Sequence, residues 1–208
     1  MVTRSSLATV GALMPGRMIW HDSRLQGTAP PIAPNTYVVD ATVELDHALG
    51  WIAVYAGSVG GLDELLVMCH GFEADWNLSQ QQSTGQRVGG FGLQICKQGI
   101  SLFNVGKLRV WNPAAGPLIR RVTIYACGTA QTGPGNTGTA ADGTRFMGEF
   151  AIHSGAFVVA GRDAQAYNPE SVRPVNPLPI DFGEWEGPVF LFDPSTGLGA
   201  SFSPGRMM

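Results

Sequence analysis

Charge is what this chain has least of. Asp, Glu, Lys and Arg make up 14% of its 208 residues, against about a quarter in ordinary globular chains. The longest basic run is Arg120-Arg121 and the net charge is −3, which excludes the electrostatic footprint of a nucleic-acid-binding surface. Cysteine is scarce as well. Cys69, Cys96 and Cys127 are odd in number and irregular in spacing, which speaks against a disulfide framework. With no CxxC pair, a structural zinc site has little support. The four histidines, His21, His47, His70 and His153, do not fall at metal-ligand spacing, so neither a metal nor a cofactor is expected. No apolar run is long enough to span a bilayer, and no membrane partner is expected. Met1–Met14 holds one Arg and a polar stretch at Thr3–Ser6 in place of the apolar core of a signal peptide. The chain is therefore read as cytoplasmic.

Apolar residues are plentiful at 44%, and so are Gly (28) and Pro (14). This predicts one α/β domain with a sizeable core and numerous loops. Residues 1–35, broken by Pro15, Pro30, Pro31 and Pro34, read as an irregular N-terminal arm. Thr36–Val39 reads as a first strand ending near Asp40. Apolar residues at Leu45, Ala48, Leu49, Ile52, Ala53 and Ala56 predict a helix over Glu44–Ser58, with Thr42 as its N-cap. Glu64–Cys69 is a second strand, and its unbroken apolar character suits a parallel sheet buried on both faces.

Phe72–Gly92 is a polar, glycine-rich loop too long for a mere connector. Leu93–Cys96 and Ile100–Phe103 flank Lys97-Gln98-Gly99 as a small hairpin, and Val105–Trp111 forms a short helix. Arg121–Ala126 is a third strand, Gly128–Gly143 a flexible loop, Thr144–His153 a helix and Ala156–Ala160 a fourth strand. The Pro-rich segment from 169 to 208 reads as an extension packed on the domain, as irregular structure or a final hairpin. Strands alternating with helices imply helices on both faces of the sheet. The binding crevice of such a sheet lies outside the carboxyl ends of its strands.

Two of the apolar strands end alike. Leu65-Leu66-Val67-Met68-Cys69 runs into His70-Gly71, and Val122-Thr123-Ile124-Tyr125-Ala126 runs into Cys127-Gly128. One delivers an imidazole and the other a thiol, the pairing a cysteine nucleophile needs, because the thiolate attacks and the thiol does not. No GxSxG elbow is present, which disfavours a serine hydrolase of the α/β-hydrolase type.

These motifs, LLVMCHG at Leu65–Gly71 and VTIYACG at Val122–Gly128, resemble those of the caspase-like superfamily: caspases, metacaspases, gingipains and separases. The closest likeness is to bacterial CHAT-type domains, with their glycine-led hairpin between the motifs (Gly90–Leu102) and a small-residue loop, helix and strand after the cysteine. The resemblance covers about residues 36–168. It implies a caspase-like α/β/α sandwich with a mainly parallel sheet and a small β-hairpin insertion. It also implies a cysteine endopeptidase acting on a protein or peptide substrate, with a His70–Cys127 dyad and an oxyanion hole made by the backbone N–H groups of Gly71 and Cys127. Self-processing in the loops after His70 and Cys127 is a habit of the family. Arg- and Lys-specific relatives carry an acidic residue two positions before the cysteine. Tyr125 stands there in this chain, so the resemblance implies no preference for basic residues.

Three further residues are candidates for the substrate side, each with a plainer alternative. Asp40 could orient His70 or line the pocket, or be a solvated loop aspartate. Asp163 could face the substrate, or cap a turn beside Arg162. Tyr125 could line the pocket. Cys69 and Cys96 read as small buried hydrophobes, His21 and His47 as surface residues, and His153 as a cation suited to a helix C-terminus. Trp76, Trp111 and Trp185 could line a peptide groove, with core packing as the alternative. The competing functional readings are a catalytically silent caspase-like binding or regulatory module, and a small-molecule hydrolase or acyltransferase using the same cysteine.

Overall fold

The pattern of strand burial determines how this chain is layered. A computed structural model describes residues 16–72, 92–167 and 178–204. Its centre is strand β3 (Glu64–Met68), buried at every position. β3 pairs in parallel with β1 (Arg17–Asp22) on one side and with β6 (Arg121–Tyr125) on the other. The full sheet has seven strands in the order β2-β1-β3-β6-β7-β8-β9. β2 (Asn35–Val39) and β7 (Phe157–Gly161) continue the parallel part, while β8 (Val189–Phe192) and β9 (Gly199–Phe202) are antiparallel. The final hairpin is therefore part of the main sheet. A second, two-stranded sheet pairs β4 (His70–Phe72) with β5 (Gly92–Gln94). An antiparallel bridge from Leu93 to Ile100 is the remnant of the expected hairpin.

α1 (Leu45–Ser58) buries Leu45, Ala48, Leu49, Ile52 and Ala56, the spacing of one helical face. Thr42 does not cap it. Thr42 donates to Asp40 instead, and Gln98 Oε1 accepts the Leu45 N–H at 2.8 Å. α2 (Gly143–Ser154) starts at Asp142 and stops at Gly155, whose φ of +70° ends the helix in the left-handed region. A 3-10 helix (Val105–Trp111) lies between the two.

Alternation along the strands sends Met18, Trp20, Leu65 and Val67 to one cluster and Ile19, Leu66 and Met68 to another. The first cluster contains the apolar faces of α1, the 3-10 helix and α2. The second is closed by Leu25, Ala33, Ile180 and Phe182, all outside regular elements. Among the described residues, then, all helical elements cover one face and irregular chain covers the other. The α/β character and mostly parallel sheet agree with the sequence reading, whereas helices on both faces are not seen in the described residues.

β1 corrects another expectation, because it lies inside the segment read as an irregular arm and fills an interior place in the sheet, between β2 and β3. Its two last residues, His21 and Asp22, are polar yet buried, at 2% and 0% exposure. His21 is therefore not a surface residue; its Nε2 lies 2.8 Å from the carbonyl of Leu25. His47 is exposed, as expected. At the amino ends of the strands, Glu64 holds Arg17 at 2.8 Å and Arg121 at 3.0 Å and accepts the Thr123 hydroxyl at 2.7 Å. This ties β1, β3 and β6 together at the end away from His70 and Cys127.

Candidate active site at the carboxyl ends of β3 and β6

β3 and β6 pair as far as Met68 and Tyr125, and Cys69 N–H still donates to the Tyr125 carbonyl at 3.3 Å. His70 and Cys127 follow directly, so both leave the same edge of the sheet on adjacent strands. The closeness of the two chains is clearest at Gly71. A β-carbon there would lie 1.9 Å from the Cys127 carbonyl oxygen and 3.1 Å from its nitrogen. Only glycine permits this approach. Gly128 follows Cys127 at φ +58° and starts a turn. Its N–H donates to the Asp163 carbonyl at 3.1 Å, and Ala130 N–H donates to Gly161 at 3.1 Å.

Cys127 is half-buried, while Cys69 and Cys96 are buried. Burial pushes the Cys69 thiol well above its ordinary value, and the nearby Asp22 carboxylate adds to the effect. The same two causes, burial first, push Cys96 up to about 12. Neither is a usable nucleophile at neutral pH. The Cys127 Sγ lies 3.6 Å from the carbonyl oxygen of Gln165, which accepts the thiol proton. Gln165 is itself anchored: its Nε2 donates to the carbonyls of Asp163 (3.2 Å) and Glu186 (3.0 Å), and its Oε1 accepts from Glu186 N–H at 3.3 Å.

The imidazole of His70 has a defined partner. Its Nε2 lies 3.1 Å from the backbone carbonyl of Arg24. A carbonyl can only accept, so Nε2 carries the proton, and in the neutral ring Nδ1 is left with the lone pair. The Arg24 main chain therefore does for His70 what Asp40 was a candidate to do. Asp40 ends the edge strand β2, with β1 between it and β3. Its exposed carboxylate accepts the Thr42 hydroxyl at 2.6 Å and the Thr42 N–H at 2.7 Å, and these bonds hold it below the usual aspartate range.

Asp163 pairs with Arg162 at 3.1 Å, and its carboxylate lies against Gly187, where a β-carbon would be 2.0 Å from Oδ2. It stands beside the Cys127 turn through its backbone carbonyl. Tyr125 is partly buried. Its ring stacks with Phe182 at 5.2 Å and with Trp185 at 5.3 Å, and burial raises its phenol strongly. Trp185 thus packs on the site's aromatic wall, and Trp111 is core. Trp76 and nearly all of the Phe72–Gly92 loop lie outside the described residues. The sequence reading missed Asp22, Arg24 and Gln165. All three act through main-chain atoms or buried bonds, which leave no motif.

The loop after Cys127 is organised by one side chain. Asp142 accepts from the Thr132 hydroxyl (2.8 Å), Gly138 N–H (2.7 Å) and Arg145 N–H (3.1 Å). Burial works against its charge, but the bonds from Gly138, Arg145 and Thr132 outweigh burial and hold the carboxyl below the ordinary value of 3.8. Asp142→Ala should destabilise the protein by about 1–2 kcal/mol, the scale of a lost N-cap. A carboxyl depressed on folding stabilises above its unfolded pKa, and that contribution fades as pH falls through the lower folded value. The difference between wild type and Asp142→Ala in urea melts should therefore be full at neutral pH and shrink below about pH 4. A difference independent of pH would mean that the charge plays no part.

Comparison with known proteins found no matching family model, no matching curated protein and no matching solved structure. Among the described residues no group of His, Cys, Asp and Glu is arranged to hold a metal ion. No helix among them is long and apolar enough to cross a membrane.

Proposed function

We propose that this protein is a cysteine endopeptidase of caspase-like fold, with Cys127 as nucleophile and His70 as its proton partner. The observation that carries the reading is the Gly71–Cys127 backbone contact, combined with an imidazole whose Nε2 proton is fixed by the Arg24 carbonyl. The Cys127 thiol proton passes to Nδ1, and the thiolate attacks the carbonyl carbon of the scissile bond. The oxyanion that forms is met by the N–H groups of Gly71 and Cys127; one such donor is worth roughly 2.7–4 kcal/mol in acyl transfer. The imidazolium returns its proton to the departing amine, leaving a thioester on Cys127. A water then attacks the thioester, giving its proton to His70, and the thiol is restored as the carboxylic acid leaves. Proton transfer of this kind contributes about 10²–10⁴-fold.

The substrate is a protein or peptide and no cofactor is required. Tyr125 in its aromatic stack offers no carboxylate to a basic side chain. The thiols of Cys69 and Cys96 suit a reducing compartment such as the cytoplasm.

A second reading has an observation of its own. The Cys127 thiol donates to Gln165, and Phe182 and Trp185 cover Tyr125, as in a silent caspase-like module. The test is cleavage of a peptide library together with iodoacetamide labelling. Wild type should cleave and should label first at Cys127, and both Cys127→Ala and His70→Ala should lose cleavage. Equal cleavage by wild type and Cys127→Ala overturns the peptidase. Labelling of Cys127 at the same rate with and without His70, and no cleavage, selects the silent module.

A further inference from the structure

The end of β1 holds a buried charge that the reaction above does not use. Asp22 is completely buried. A carboxylate shut away from water persists only where donors meet its lone pairs, and here every donor belongs to the neighbourhood of His70. Oδ1 accepts from Arg24 N–H at 3.1 Å and from Arg24 Nε at 2.8 Å. Oδ2 accepts from Arg24 Nη2 at 2.7 Å and from Cys96 N–H at 2.9 Å. The same Nη2 donates to the Cys96 carbonyl at 2.7 Å. The chain from Asp22 to Arg24 is thus folded back on its own carboxylate and locked to Cys96. That locked main chain carries the Arg24 carbonyl that accepts the His70 Nε2 proton.

We propose that Asp22 is a positioning residue for His70. With the Arg24 guanidinium it clamps the turn after β1 onto Cys96, so that the Arg24 carbonyl selects the Nε2–H tautomer and leaves Nδ1 basic. The inference rests on the His70–Cys127 reading for its catalytic meaning. Asp22 does not touch the thiol, the imidazole or a substrate; its effect passes through one backbone oxygen. A purely structural ion pair would stabilise the fold without preferring either tautomer. A positioning pair changes the tautomer in a protein that remains folded. A bidentate Arg–carboxylate fork suits this task because its planar geometry fixes orientation as well as distance.

The test is ¹⁵N NMR of the imidazoles near neutral pH, with the His70 signals assigned from His70→Ala. It is paired with the iodoacetamide rate of Cys127 in the full-length protein. In wild type, Nε2 should read as the protonated nitrogen and Nδ1 as the bare one. Asp22→Asn retains size but loses an acceptor and the charge. The two His70 nitrogens should then move toward averaged shifts, and the alkylation rate should fall about tenfold. That is near the limit set by an ordinary thiol, only a few per cent of which is thiolate at neutral pH. Arg24→Gln, which keeps the backbone carbonyl but removes the guanidinium, should act in the same direction. It also serves as the deciding variant if Asp22→Asn does not fold. Unchanged His70 tautomer in a folded Asp22→Asn or Arg24→Gln protein overturns the proposal. A tautomer that shifts as expected, with Cys127 alkylation indifferent to His70→Ala in wild type, leaves the positioning intact and removes the dyad instead.

Discussion

Alanine at position 71 should cripple both the fold and the site. Its β-carbon would lie 1.9 Å from the Cys127 carbonyl oxygen and 2.9 Å from the carbonyl carbon, inside the distance at which any carbon tolerates backbone. No side-chain rotation relieves the clash, because the opposing atoms are main chain. The ends of β3 and β6 must part by about an ångström. Overpacking of a closed site costs typically 1–3 kcal/mol and occasionally more, and this contact belongs at the upper end. At about 3 kcal/mol, and about 2–4 °C per kcal/mol in a chain of this size, the melting temperature should fall by roughly 6–12 °C. The displaced turn carries the proposed nucleophile, and an ångström of misplacement can cost about 10²-fold in rate. Cys127 in Gly71→Ala should therefore lose its His70-dependent reactivity even at temperatures where the protein is folded. Gly57→Ala is the control: beyond its own stretch of helix backbone, no atom lies within 4 Å of the added carbon, and it should be neutral or slightly stabilising. A Gly71→Ala protein that melts with wild type and labels at the wild-type rate would mean that β3 and β6 do not meet as described.

The elements that were legible in the sequence are those whose apolar pattern is strong. β3 and β6 are continuous apolar runs. α1 and α2 repeat at helical spacing, and Phe190 and Phe192 mark the last hairpin. Their shared ending placed His70 and Cys127 at strand ends, but the adjacency of β3 and β6 comes from their pairing in the sheet; the burial of Cys69 and Cys96 followed from the habit of free cysteine. β1 escaped because half of Arg17–Asp22 is polar: Arg17, His21 and Asp22 disguise an interior strand as a loop. The polar residues there are satisfied inside the protein, by Glu64, Leu25 and Arg24, and no local pattern announces such partners. The layering escaped for a related reason. Alternation of strands and helices says that helices must cover apolar surface, but it does not say which face. Ile180 and Phe182, in a proline-rich stretch, cover the face that a helix layer was expected to fill. The segment after Cys127 reads as flexible from its Gly, Thr and Ala content. Asp142 nevertheless gathers it through hydrogen bonds reaching four to ten residues back along the chain, a kind of order that composition does not record. His70 and Cys127 were legible as residues. The Arg24 carbonyl and the Asp22 carboxylate behind it were not, because a backbone oxygen has no letter in a sequence.

A second large effect is expected far from this edge and separates the fold from the site. Trp111, at the end of the 3-10 helix, is completely buried. Its indole N–H donates to the Leu49 carbonyl of α1 at 3.0 Å. Its ring meets Trp20 of β1 edge-on at 6.0 Å and Phe150 of α2 at 6.3 Å. One side chain thus joins the sheet to both long helices. Trp111→Ala leaves a cavity that close-packed neighbours cannot fill, at a cost of about 3–5 kcal/mol. In a chain of this length that is roughly 6–20 °C in melting temperature. Trp111→Phe keeps most of the ring and gives up the hydrogen bond, worth about 1 kcal/mol, so its loss should be a fraction of the alanine loss. Neither change touches His70, Cys127, Gly71 or the Asp22–Arg24 clamp. Below its melt, Trp111→Phe should therefore label Cys127 at the wild-type rate and keep the dependence on His70. Gly71→Ala should lose that dependence while still folded. If Trp111→Phe also abolished the His70 dependence, the site would be held by the whole helical layer, and the local account built on β1, β3 and β6 would have to be abandoned.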